Sequence, residues 1–210
     1  MGRPRVIHIG PGGVAEEEAI EACLGVLSQG GLALLPAEGL YGLHASAVDE
    51  RAYERLLAAK GLSQPRPFIV LLPTPGQVDG WASVVPAAAK QLIDSVWPGP
   101  LTLVLPARTE VPEPLRPEGL VALRCPGSGF LRKLMSRLGS EIVSTSANRA
   151  SEPPPADLGE VDGEILDAVQ IAVDAGRLAG LGSTVVGFGR GGRPHLLRRG
   201  LWVPPNSWSG

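Results

Sequence analysis

The sequence predicts an α/β protein: a twisted, mixed β-sheet flanked by helices, folded as one domain. Short apolar runs of strand length alternate with longer stretches whose apolar residues recur at helical spacing, the pattern of a sheet with helices packed on it. Hydrophobic residues make up 44% of the 210 and charged residues 19%, a balance that supports one compact core without disulfides or metals. Glycine and proline fall mainly between the runs, where they punctuate turns.

The first helix is expected over Ala15–Gln29, with Ile20, Leu24 and Leu27 on one face, glutamates at its start and Gly30-Gly31 at its stop. Leu32–Leu35 reads as a strand broken by Pro36, followed by a turn at Ala37-Glu38-Gly39 and then Tyr41. Asp49 caps a helix running to Lys60, and Phe68–Leu72 is the next buried strand. Helices follow at Ala87–Val96, Phe130–Leu138 and Gly163–Ala168. Strands follow at Leu101–Leu105, Leu120–Arg124, Glu141–Ser144, Ile171–Val173, Thr184–Phe188 and His195–Arg198. No repeat or linker divides the chain, so one domain is expected over 15–200, between an N-terminal extension (1–14) and a tail (201–210) carrying Trp202 and Trp208.

Several function classes lose support at once. Aromatics are only 4% and the net charge is −2, so neither stacking platforms nor global attraction to a phosphate backbone is expected. Weak, local RNA binding stays open. His8, His44 and His195 stand in unrelated segments and in no metal-ligand spacing, so structural or surface roles are expected and no metal site is assigned. Cys23 and Cys125 read as buried thiols of a reducing compartment. Met1–Gly13 has Arg3 and Arg5 without a following apolar stretch, and no run reaches the length of a membrane span; a cytoplasmic protein is expected.

Polar residues close the buried strands and helices: Lys60, Arg124, the run Ser144-Thr145-Ser146-Ala147-Asn148, Ser183-Thr184 and Arg198-Arg199. Singly, each is more often a solvated charge or a turn. Together, at strand ends where α/β sheets hold ligands, they form a donor set for phosphate and carboxylate oxygens. An anionic ligand is expected.

Eight blocks carry a resemblance, in this order: Pro36–Leu43 (Pro-Ala-Glu-Gly-Leu-Tyr-Gly-Leu), Lys60-Gly61, Pro67-Phe68, Trp97–Thr102, Ala122–Pro126, Ser144–Asn148, Ser183–Val186 and Leu197–Gly200. They resemble the signature blocks of the YrdC-like family, from about Ala15 to Gly200. The resemblance implies the family's fold, a twisted mixed sheet around a positively charged cleft. It also implies the activity of its threonylcarbamoyl-adenylate synthases, nucleotidyltransferases that use ATP with Mg²⁺, L-threonine and bicarbonate, release pyrophosphate and feed a tRNA-modifying complex. By the same resemblance Lys60, Ser146, Asn148 and Arg198 line the ATP side, and Arg124 and Ser183 face the threonine carboxylate or the carbamate. Tyr41 shapes the substrate wall, and Lys60 and Arg124 are the catalytic pair.

The chain departs from that pattern at four places. The family's Lys-x-Arg pair reads Lys60-Gly61-Leu62, with Arg66 as the replacement cation; a threonine becomes Gly39, a histidine becomes Leu71 and another threonine becomes Leu120. A roomier, more apolar amino-acid side is expected. Four readings stay open: the synthase, a carbamoyl-adenylate enzyme with another acceptor, a non-catalytic paralogue that binds a nucleotide or structured RNA, and a degenerate site in an assembly or folding partner.

Overall fold

The computed structural model describes residues 2–10, 14–63 and 67–205. In chain order the elements are β1 (Arg5–His8), α1 (Val14–Ser28), β2 (Ala33–Pro36), β3 (Tyr41–Ser46), α2 (Glu50–Ala59), β4 (Ile69–Leu71), α3 (Val78–Trp81) and α4 (Ala87–Val96). They continue with β5 (Leu101–Pro106), β6 (Leu120–Arg124), α5 (Gly129–Leu138), β7 (Ile142–Ser146), α6 (Gly163–Ala168), β8 (Ile171–Asp174), β9 (Thr184–Phe188) and β10 (Pro194–Arg198). The strands form one sheet in the order β1-β8-β2-β3-β7-β4-β6-β5-β9-β10. The pairs β1/β8, β2/β8, β4/β6 and β5/β9 are parallel and the others antiparallel, so the sheet is mixed as expected.

Local chemistry sets the helix limits. Asp49 caps α2, its carboxylate accepting from the N–H groups of Arg51 (2.9 Å) and Ala52 (3.2 Å). Lys60 ends that helix and Gly61 follows in the left-handed conformation, φ +65°, a conformation that glycine takes readily at a helix C-terminus. Two strands lie where no element is expected from sequence. Arg5–His8 joins the sheet edge through β8, and Tyr41–Ser46 is a fully paired central strand. Strand β7 also runs two residues further than expected, to Ser146.

Side chains alternate across the sheet and build two apolar cores. On one face Leu34, Tyr41, Leu43, Val70, Leu103, Leu123 and Val143 pack under α2, α4 and α6, through Leu56, Ala89, Ile93 and Ile165. On the other face Ala33, Leu35, Leu71, Ile142, Ile171 and Val173 pack under α1 and α5, through Ile20, Leu27, Leu131, Leu134 and Met135. That second cover is partial. Where α1 and α5 stop, the sheet continues uncovered, and its floor there presents Gly42, Ile69, Arg124, Ser144 and Ser146.

Candidate functional site

The uncovered floor forms a cleft of about 340 Å³. Tyr41, Arg124, Ser146, Ser183 and Arg198, all singled out from the sequence, line it together with Glu38, Ile69, Ser144, Leu181 and Arg199. These residues come from β3, β6, β7, the loop before β9 and the end of β10, so distant parts of the chain converge on one cavity.

Lys60 and Asn148 stand behind the wall. The Lys60 ammonium has three N–H donors and meets three oxygens: the Ser146 carbonyl at 2.7 Å, the Asn148 carbonyl at 2.6 Å and Asn148 Oδ1 at 3.4 Å. Burial pushes its pKa down to about 8. Asn148 Nδ2 donates to the carbonyls of Arg149 (3.0 Å) and Glu152 (2.6 Å), and Ser146 Oγ donates to Asn148 Oδ1. Lys60 thus clamps the turn after β7 and sets where Ser146 points.

Arg124 is buried at the end of β6, with Nη1 3.3 Å from Glu38 Oε2. Glu38 Oε1 accepts the Gly127 N–H at 2.7 Å. The carboxylate and guanidinium are close, yet Glu38 Oε2 and Arg124 Nε are buried without a hydrogen-bond partner, so the pair retains unused bonding capacity. At the opposite wall Arg198 Nη2 donates to the Ser183 carbonyl at 3.0 Å and to Ser183 Oγ at 3.3 Å. Burial, then the Arg124 charge, pushes the Arg198 pKa below its ordinary value. Ser183 Oγ also lies 2.8 Å from the buried Thr102 hydroxyl.

Tyr41 is at the cleft edge, but its ring is in the core. The phenol donates to the Gly176 carbonyl at 2.7 Å and accepts the Ala175 N–H at 2.9 Å, and burial pushes its pKa up to about 12. Its side chain therefore holds the 174–176 turn.

The four departures are answered differently. Arg66 lies outside the described residues. Leu62 packs against the larger core, Leu71 is fully buried under α1 and α5, and Leu120 is 40% exposed at the start of β6, the end opposite Arg124. Gly39 is not roomier. A Cβ there would lie 2.2 Å from the Leu181 carbonyl oxygen and 2.8 Å from Leu201 Cδ1, so another part of the chain fills the space and only glycine fits. Glu38 and Thr102 carry no role from the sequence; His44, expected to be structural or at the surface, is fully buried, and Ser144, placed in the donor set, lies with its Oγ 3.2 Å from His44 Nε2. Glu38, Thr102 and Ser144 lie inside the blocks quoted above, but only three-dimensional pairing assigns them partners.

A family model matches residues 25–200: that of Sua5, YciO and YrdC, described as "Telomere recombination". The chain belongs to this family. It is 35% identical over 188 residues to the threonylcarbamoyl-AMP synthase of Pyrococcus abyssi, a match covering 88% of the chain and 55% of that relative. Among solved structures, P. abyssi Sua5 complexed with L-threonine superposes with a TM-score of 0.85 at 32% identity, over 93% of this chain and 57% of that one. E. coli YciO shares the fold, with a TM-score of 0.82 at 22% identity over 94% and 96% of the two chains. The chain thus spans a little over half the length of its P. abyssi relative and nearly all of YciO. Among the described residues no helix is long and apolar enough to cross a membrane.

Proposed function

We propose that this chain is a threonylcarbamoyl-AMP synthase: it binds ATP in the cleft and transfers the adenylyl group to a carbamate formed from L-threonine and bicarbonate, releasing pyrophosphate. The observation that carries the reading is the convergence of Arg124, Ser146, Ser183 and Arg198 on one cleft, in a fold whose curated relatives include that synthase.

The chemistry asks mainly for placement. The threonine nitrogen bonds to the bicarbonate carbon with loss of water, and a carbamate oxygen then attacks the α-phosphorus in line as pyrophosphate departs. Arg124, buried and with Nε unpartnered, is suited to a substrate carboxylate or the carbamate. Arg198 and Arg199 offset the charge that moves onto pyrophosphate. Ser146, its proton committed to Asn148, meets ATP as an acceptor, a role that suits a ribose hydroxyl. Lys60 acts through the turn it clamps.

Mg²⁺ belongs to the substrate in this scheme. Among the described residues no three His, Cys, Asp or Glu side chains are grouped to hold a metal, and the cleft's Glu38 already faces Arg124. A resident ion does not fit that donor set; Mg²⁺ enters on the phosphate oxygens of ATP. Free, buried Cys23 and Cys125 suit a reducing compartment, where a tRNA-modifying complex would take up the product.

The test is pyrophosphate release from purified protein with ATP, Mg²⁺, L-threonine and bicarbonate, omitting each in turn. Release that needs all of them is expected. Release with another amine in place of L-threonine would assign a different acceptor. ATP binding with no release under any combination would leave the binding-only reading.

A further inference from the structure

We propose that the hollow between α1, α2 and α6 is a second ligand site, for a small organic anion with a compact apolar body, linked to the cleft through Arg149. The site stands on residues outside the cleft and does not depend on the synthase reading; only the linkage uses ATP binding.

The hollow measures about 750 Å³, more than twice the cleft, and among the described residues none lines both. A volume in this range suits a small molecule. Ala22 and Gly25 of α1, Ala58 and Ala59 of α2 and Ala168 of α6 are on its wall, so three helices turn methyl groups and bare backbone toward it. Gly25 is the telling position. Glycine inside a helix costs stability relative to alanine, and a backbone or steric need usually explains it. Neither applies here: Gly25 does not have a positive φ, and a Cβ added there meets no atom within 4 Å. What a side chain at this position would take up is space in the hollow.

The polar groups on the wall select the charge of the ligand. Arg55 donates an N–H to the Gly30 carbonyl and Arg149 donates one to Glu164, and a guanidinium has several more to give. Among the described residues Glu164 is the one acidic side chain on the wall, and Arg149 already pairs with it. Gln170 is satisfied within the protein: Oε1 accepts the Leu32 N–H at 2.7 Å and Nε2 donates to the Ala168 carbonyl at 3.3 Å. Unmatched donors on two cations remain, and they suit a carboxylate, sulfonate or phosphate group. The methyl-lined wall suits an apolar body behind that group.

Arg149 joins this site to the cleft. Its backbone N–H donates to Glu152 Oε2 at 3.3 Å, and its carbonyl accepts the Asn148 amide at 3.0 Å. Asn148 in turn takes the Ser146 proton on Oδ1, and Lys60 holds the carbonyls of both residues. A ligand oxyanion competes with Glu164 for the Arg149 guanidinium, and the turn that sets Ser146 responds to that exchange. Occupancy of the hollow then changes ATP affinity, and ATP changes the affinity of the hollow by the same factor.

The experiment titrates the protein with anilinonaphthalene sulfonate, an anion on an apolar body, and with phenylnaphthylamine, the same body without the charge, and reads fluorescence. Saturable binding of the sulfonate at a single site, about tenfold or more tighter than the neutral amine, is expected. Arg55→Gln should weaken it about tenfold. Gly25→Leu and Ala58→Leu, which fill the hollow from two helices, should abolish it without lowering the melting temperature, and Arg198→Gln in the cleft should leave it unchanged. By calorimetry, Mg·ATP affinity should fall about threefold or more when the sulfonate is saturating, and Arg149→Ala should remove that difference. No saturable binding by the wild type, equal binding of the neutral amine, or undiminished binding by both leucine variants overturns the site. So does a loss in Arg198→Gln as large as that in Arg55→Gln, which would assign the sulfonate to the cleft. ATP affinity indifferent to the sulfonate, or no ATP binding at all, overturns the linkage and leaves the site.

Discussion

One face of the sheet has two halves, and they differ only in what covers them. Under α1 and α5 the alternation places Leu71 and Ile142 in a closed apolar core. One or two strand positions away, where the helices end, the same alternation places Ile69, Ser144 and Ser146 on an open floor. The strands do not change character; the cover does. In the open half Ser144 and Ser146 are paired within the protein, to His44 and Asn148, and their remaining acceptor capacity faces the cleft, whereas under the helices any polar group left unpaired would incur its full desolvation cost.

That contrast can be broken by acid, by cavity, by crowding and by salt. The largest expected effect is on the floor. The His44 pKa, about 3 in the folded protein, lies below the value near 6.5 of an unfolded chain, so the unfolded state binds more protons between those limits. The contribution of the neutral ring is complete above pH 6.5 and lost as pH falls toward 3, on the order of several kcal/mol. Urea unfolding across that range should show the loss in the wild type and a flatter profile in His44→Gln. In the covered half, Leu134→Ala opens a cavity beneath α5 at a fully buried position, and about 3 kcal/mol of stability should disappear from denaturant midpoints at any pH, with ATP affinity unchanged.

Smaller effects sharpen the boundary of the cleft. Gly39→Thr, which restores the residue expected in this family, forces a Cβ against the Leu181 carbonyl and Leu201; about 1–3 kcal/mol of destabilisation is expected by thermal unfolding, with no gain in L-threonine affinity. Smallest of all, Arg137→Ala removes the ion pairs that join α5 to Glu17 and Glu21 of α1. These are solvent-exposed, so the change should stay within about 1 kcal/mol and fade in high salt.

Much of this was legible in the sequence, for reasons that differ by element. Helix α2 was readable because Asp49 and Lys60 sit at its ends and Tyr53 and Leu56 share a face. Strand β3 was not: Gly42 and His44 serve the floor and interrupt the apolar run, and the central position of the strand depends on β7, about 100 residues on. Edge strand β1 buries only Ile7, too little for a pattern. Arg124, Ser183 and Arg198 were visible as polar residues ending apolar runs. The role of His44 was not, since it exists only through the register that sets it opposite Ser144. Gly39 shows the converse limit: a missing side chain is legible, but the Leu181 carbonyl that occupies its space is not.

The central claim is that these strand ends make one site for an anionic nucleotide. Calorimetric titration of the wild type and Arg198→Gln with Mg·ATP tests it most directly. Saturable binding by the wild type, weakened about tenfold or more when the Arg198 charge is removed, is the expected result. Failure of the wild type to bind ATP at millimolar concentration, or equal binding by the two proteins, would contradict it.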